Sequence, residues 1–134
     1  MSLRLSIVTP ARAVVDADVD SVVAPGSEGE FGVLPGHAPL LAALKPGLVR
    51  WSTGSATWAI AIGGGFAEVT QERVSVLASA AEKPESIDAA EAEARRTRAA
   101  AELDEAGYLA PDEELAKLRE ALEFAQARVE LIRR

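Results

Sequence analysis

At Pro84 the hydrophobic period of this 134-residue chain changes, and no single layer of structure accommodates both halves. Upstream, apolar residues recur every second position. In LRLSIVT, Leu3, Leu5 and Ile7 alternate with Arg4 and Ser6, the pattern of a half-buried strand. LVRWS and ATWAIAI flank Thr53-Gly54-Ser55, and FAEVT and RVSVLA flank Gln71-Glu72; each pair reads as a hairpin. Many short strands separated by Gly and Pro predict a β-sandwich over residues 1–84.

Downstream the period becomes helical. Residues 87–106 hold neither Gly nor Pro and are rich in Ala, Glu and Arg, with Ser86 as the expected N-cap, Asp88 in the first turn and Gly107 just past the end. A second helix is expected from Pro111-Asp112. Its apolar stripe, Leu115, Leu118, Leu122, Ala125, Val129 and Ile132, is spaced 3, 4, 3, 4, 3. Ala92, Ala99 and Ala106, with Leu103, supply a matching narrow seam on the first helix. The short connection makes the two antiparallel neighbours, so residues 85–134 are expected to form an αα-hairpin.

The charge argues against nucleic acid. The net charge is −7, with 6 basic and 8 acidic residues in 1–84 and 8 basic and 13 acidic in 85–134, whereas nucleic-acid binding needs a basic footprint. The chain has no cysteine, which excludes a disulfide framework, a cysteine zinc site and a thiol nucleophile, and accords with a reducing compartment. The first residues lack the pattern of a signal peptide, and no run of about 18 uncharged apolar residues is present.

No constellation for catalysis emerges. The stretch GSEGEFGVLPGHAPLLAALKPG, residues 26–47, holds five of the ten glycines, three of the seven prolines and the only histidine, His37. It matches neither a phosphate loop nor G-x-G-x-x-G; Gly26, Gly29, Gly32 and Gly36 suit repeated tight turns. A lone histidine supplies neither a triad nor a metal cluster, so His37 is read as structural or contact-forming. Gly63-Gly64-Gly65 would suit a phosphate-handling enzyme only with a nucleophile and base, and it reads as a bulge or sheet crossing. Asp16, Asp18 and Asp20 lack the Gly and Glu of an EF-hand loop and read as the solvated face of a strand. Arg95, Arg96 and Arg98 read as helix pairs with Glu91, Glu93 and Glu102, or as a docking patch. From the residues alone, the chain is a non-enzymatic contact protein; a stand-alone sandwich module dimerising through its hairpin is the alternative.

The 26–47 stretch, GGGFAEV, VSVLA and the hairpin together closely resemble, in order and spacing, the epsilon subunit of the bacterial F-type (rotary) ATP synthase. The resemblance implies a β-sandwich with a C-terminal antiparallel αα-hairpin. It implies a non-catalytic central-stalk subunit of a proton-translocating enzyme, linking the gamma subunit to the c ring and restraining ATP hydrolysis. The implied partners are gamma, the c-subunit ring and the alpha and beta catalytic subunits. The implied location is the cytoplasmic face of the bacterial inner (plasma) membrane, with membrane association only through the complex. Glu30, Phe31 and His37 would form the contact surface toward the c ring and gamma. Arg95, Arg96, Arg98, Arg119 and Arg128 would form an inhibitory docking patch on the hairpin. No cofactor is implied. Some members bind ATP through I-D-x-x-R-A, and Ile87, Asp88 and Ala92 match it, with Glu82, Arg98 and Arg128 near further positions used there. Here Glu91 replaces the motif Arg and sets a carboxylate beside the triphosphate, which counts against ATP as a regulatory ligand.

Overall fold

The structure, a computed structural model, describes residues 2–134, the side chain of Tyr108 excepted. Ten strands come first: β1 (Leu3–Val8), β2 (Ala13–Val19), β3 (Ser21–Gly26), β4 (Gly29–Val33), β5 (Leu40–Leu44), β6 (Gly47–Thr53), β7 (Ala56–Ile62), β8 (Gly65–Val69), β9 (Arg73–Ala78) and β10 (Ala81–Glu82). Two helices follow, α1 (Ala89–Ala106) and α2 (Asp112–Arg133). Both expected hairpins form, as β6–β7 and β8–β9.

The strands run in the order β10-β7-β6-β3-β5-β8-β9-β1-β2, with β4 on β3. Between β3 and β5 the ladder narrows to the single pair Gly26–Leu44, and there the sheet folds over into two layers. Leu3, Leu5 and Ile7 of β1 and Val74 and Val76 of β9 face Val22, Val49, Ile60 and Ile62 of the other layer in one fully buried core. The period-2 alternation is what allows it: each strand sends every second side chain inward.

Gly63–Gly65 carry the chain from β7 in one layer to β8 in the other. Gly64 and Gly65 have φ of 100° and 151°, and a Cβ on Gly65 would lie 1.9 Å from the carbonyl oxygen of Leu77. The triglycine is thus a crossing, set by a close backbone approach. The expectation of four tight turns in the 26–47 stretch needs correction. Only Gly29 and Gly36 have positive φ there; Gly26 and Gly32 lie within strands, and Gly26 is packed under the Phe31 ring.

The start of α1 also differs from expectation. Asp88, not Ser86, is the N-cap: its carboxylate accepts the Glu91 N–H at 2.9 Å. Pro84 to Ser86 form a 3-10 turn, in which the Ser86 hydroxyl donates to the Lys83 carbonyl. A carboxylate two residues later wins because it both caps and complements the helix dipole. Gly107 ends α1 as expected, with φ 48° and its N–H on the Leu103 carbonyl.

The sandwich core is made from residues 3–78 alone. A chain of residues 1–84 is therefore expected to melt cooperatively with a β-type circular dichroism spectrum; a random-coil spectrum would show that the helices are needed to form it.

Candidate docking surfaces and hairpin clamp

The two outer faces of the sandwich are chemically unlike. On the β6–β7 face the outward residues include Leu48, Ala59 and Ala61. They are covered by Phe124, Ala127 and Leu131 of α2, with Ile87 beside them. Thus α2 has two apolar stripes. Ala125 and Val129, with half-buried Leu115, Leu118, Leu122 and Ile132, belong to the stripe expected from the 3-4 spacing, against the buried Ala92 and Ala99 of α1. The second stripe, 124-127-131, has the same 3-4 spacing but is shorter and overlaps the stronger first one in the sequence. Burying Leu48 and Leu131 contributes roughly 1.5–3 kcal/mol each, and the Ala contacts add much less.

The opposite face, on β5-β8-β9-β1, is covered by no helix or loop among the described residues. Ala43, Phe66, Leu77 and Val8 are neighbours across these four strands and all point outward. Phe66 is 57 % exposed, Leu77 61 % and Leu41, two residues from Ala43 on the same face, 73 %. Contiguous exposed apolar side chains of this kind mark interaction surfaces. The signal in the sequence was apolar residues on both parities: Leu77 interrupts the alternation of Val74, Val76 and Ala78, and Phe66 that of Ala67 and Val69.

The three residues expected to share one contact surface are not gathered. Glu30 is exposed near the start of β4 and pairs with Arg50 at 2.7 Å. It edges a cleft of about 370 Å3 between the sandwich and α2, with Lys45, Glu123 and Glu130. Phe31 is half-buried against the core. His37 lies beyond the other end of β4, in a turn where its N–H donates to the Leu34 carbonyl and Nδ1 to the Ala38 carbonyl at 2.6 Å. That turn is tied to the β8–β9 turn by the Gly36 N–H on the Gln71 carbonyl. Asp16 and Asp18 lie on the outer face of β2 and bind Arg4, at 2.8 and 3.2 Å; the Arg4 hydrogen bond lowers the Asp16 pKa. Asp20 is past the strand, not on that face, and accepts the Gly54 N–H at 2.7 Å.

The hairpin arginines divide. Arg128, expected on an accessible patch, is instead buried, its side chain 10 % exposed. Its Nε donates to Glu82 of β10 at 2.9 Å and its Nη2 to Glu91 of α1 at 2.6 Å, with Nη1 on the same carboxylate at 3.4 Å. Two carboxylates reach it because α1 and α2 run antiparallel, and β10 ends beside them. Arg96 bonds Glu93 at 2.8 Å, and Arg133 binds the same Glu93 from the end of α2. Arg95, Arg98 and Arg119 are exposed. Glu91 therefore pairs across the hairpin, not with a neighbour on its own helix. A cavity of about 290 Å3 lies here, bordered by Glu82, Glu91, Arg95, Arg98, Glu102 and Arg128. Asp88 is occupied as the helix cap, Ile87 packs under α2, and Ala92 is buried in the seam.

The hydrogen bond from Arg128 holds the Glu91 carboxyl below its usual range, with a smaller push the same way from Arg95 and an opposing one from Asp88. A lowered folded pKa means stability that is complete above the unfolded value, about 4.3, and is lost as pH falls through the folded one. Glu91→Gln is therefore expected to lower the urea midpoint at pH 7. The difference from the parent chain should shrink as pH drops below about 4. A difference that persists unchanged into acid would remove the ion pair as its cause.

The family model of the ATP synthase delta/epsilon chain β-sandwich domain matches residues 2–84. The ATP synthase epsilon chain of Syntrophobacter fumaroxidans is 44% identical over 131 residues, 98% of this chain and 89% of that one. That of Pelotomaculum thermopropionicum is 53% identical over 96 residues, 72% of each chain. Among solved structures, a chain of the Euglena gracilis mitochondrial ATP synthase OSCP/F1/c-ring assembly superposes with a TM-score of 0.79 at 23% identity, covering 99% of this chain and 82% of that one. A chain of the Tetrahymena thermophila mitochondrial ATP synthase central stalk and c ring gives 0.60 at 16%, covering 96% and 97%. The last two share the fold, and the Syntrophobacter relative shares the sequence along nearly the whole chain: the chain belongs to the ATP synthase delta/epsilon family, as one of its bacterial epsilon chains.

Proposed function

We propose that this chain is a non-catalytic central-stalk subunit of a proton-translocating F-type ATP synthase. Its sandwich links gamma to the c ring and its hairpin restrains ATP hydrolysis. The observation that carries the first part is the bare apolar row Ala43-Phe66-Leu77-Val8, with Leu41, on a sandwich whose core is already complete without it. A rigid sheet face of this kind suits a permanent subunit contact, and gamma is its proposed occupant. Glu30 and the turn holding His37 remain the proposed contacts toward the c ring. The chain would then lie at the cytoplasmic face of the bacterial membrane, held there through the complex.

The brake reading rests on the hairpin's limited hold on the sandwich and on its exposed cations. Arg95, Arg98 and Arg119 are available to an acidic surface of the alpha and beta subunits, while Arg96 is held by Glu93. Arg128 is withdrawn from that patch while the hairpin stays docked. ATP is not part of this proposal. Glu91 sets a carboxylate into the cavity beside Glu82 and already takes the Arg128 guanidinium that a phosphate would need. A dimerisation arm is disfavoured because both apolar stripes of α2 are covered, one by α1 and one by the sandwich.

Deleting residues 85–134 in the complete enzyme is expected to raise its ATPase rate while leaving assembly and ATP-driven proton pumping in membranes intact. An unchanged rate would remove the brake; loss of assembly would place the link to the complex in the hairpin.

A further inference from the structure

We infer that Arg128 is a ligand-independent latch, with two separable grips: its bond to Glu82 holds the hairpin on the sandwich, and its bonds to Glu91 hold α2 on α1. Among the described residues it is the one charged side chain that is buried. Each of its bonds ends on a different element, Glu82 on the last strand and Glu91 in the first turns of α1, whereas Arg128 sits near the end of α2. Those three points enclose the short connection through Pro84–Ser86, about which any swing of the hairpin must turn.

The surrounding apolar contact is thin. It consists of three alanines, Ala59, Ala61 and Ala127, and four larger side chains, Leu48, Leu131, Phe124 and Ile87, of which Phe124 and Ile87 are only partly buried. Small side chains slide and part more readily than interlocked large ones, so a directional tie decides where the hairpin rests. A guanidinium suits the task because its planar fork engages two carboxylates at once. Removing one carboxylate also leaves the buried charge undercompensated, so the docked state is penalised more than by the loss of one contact.

The two grips fail differently. If the hairpin leaves as a unit, Arg128–Glu91 travels with it and only Arg128–Glu82 breaks. If the helices separate, Arg128–Glu91 must break. Glu82 lies on the sandwich, outside the hairpin cations, so it tests the latch without altering any proposed brake contact. The latch stands on geometry alone; its consequence in the enzyme rests on the brake reading above.

The test uses the full chain with spin labels on exposed positions: Leu41→Cys with Leu109→Cys for sandwich to hairpin tip, and Thr97→Cys with Lys117→Cys across the hairpin. The parent is expected to give one distance for each pair. Glu82→Gln should add a second distance population to the first pair only, rising from under about a tenth toward a majority. Glu91→Gln should broaden the second pair, and Arg128→Gln both. Far-ultraviolet circular dichroism checks that the fold persists. Unchanged distances in Glu82→Gln and Arg128→Gln, or both pairs changing together in Glu82→Gln, would overturn the latch. In the assembled enzyme Glu82→Gln should lower the ATPase rate. A released hairpin with an unaltered rate would sustain the latch and defeat the brake reading instead.

Discussion

The backbone approach at Gly65 is the constraint on which the architecture turns. β8 leaves the crossing so close to β9 that the Leu77 carbonyl occupies the space a side chain would need. Because Gly63–Gly65 take the chain from β7 to β8, the two layers form one closed core instead of two open sheets, each with an apolar face in water. At the other join, Gly26 and Leu44 make the single pair between β3 and β5. A side chain at Gly26 would clash with the Gly29 carbonyl and the Phe31 ring. Both junctions between layers are thus places where glycine is demanded by space.

Closure leaves two outer faces, and their side-chain sizes assign them different work. Ala59 and Ala61 keep the β6–β7 face low enough for a helix to lie on, and Leu48 provides one larger contact for Leu131 and its neighbours. The β5-β8-β9-β1 face instead projects Phe66, Leu77 and Leu41 outward, too tall and too apolar to be an ordinary wetted surface. The hairpin is held to the first face by a small apolar patch of mixed side-chain size and one polar tie at Arg128, the second face is proposed to hold the complex, and the proposed movable element and proposed mount then lie on opposite sides of the sandwich.

Much of this was legible in the residues. The strand period, both hairpins, the glycine crossing and the helical seam followed from spacing, because each is set by neighbours in sequence. The resemblance rested on the long Gly/Pro/His stretch and identified the family. What escaped was tertiary. The second stripe of α2, Phe124, Ala127 and Leu131, was hidden beneath the stronger first one. Arg128 looked like a surface cation because its carboxylate partners lie 37 and 46 residues away. Glu91 looked available to Arg95 for the same reason. Ser86 was the expected cap and Asp88 a first-turn residue; the 3-10 turn at Pro84–Ser86 sets the start of α1 later, where Asp88 caps it. Glu30 and His37 seemed neighbours in one glycine-rich stretch, yet Gly29–Val33 forms a strand that carries them apart.

The central claim is that the bare apolar row is the face by which this chain is mounted in the enzyme. Single cysteines at Phe66 and Leu77, introduced into a chain that has none, allow it to be read directly. Maleimide labelling of both should be fast in the free chain and strongly slowed in the intact, assembled ATP synthase. Equal labelling rates in the two states would show that the face stays in water, and would contradict the account.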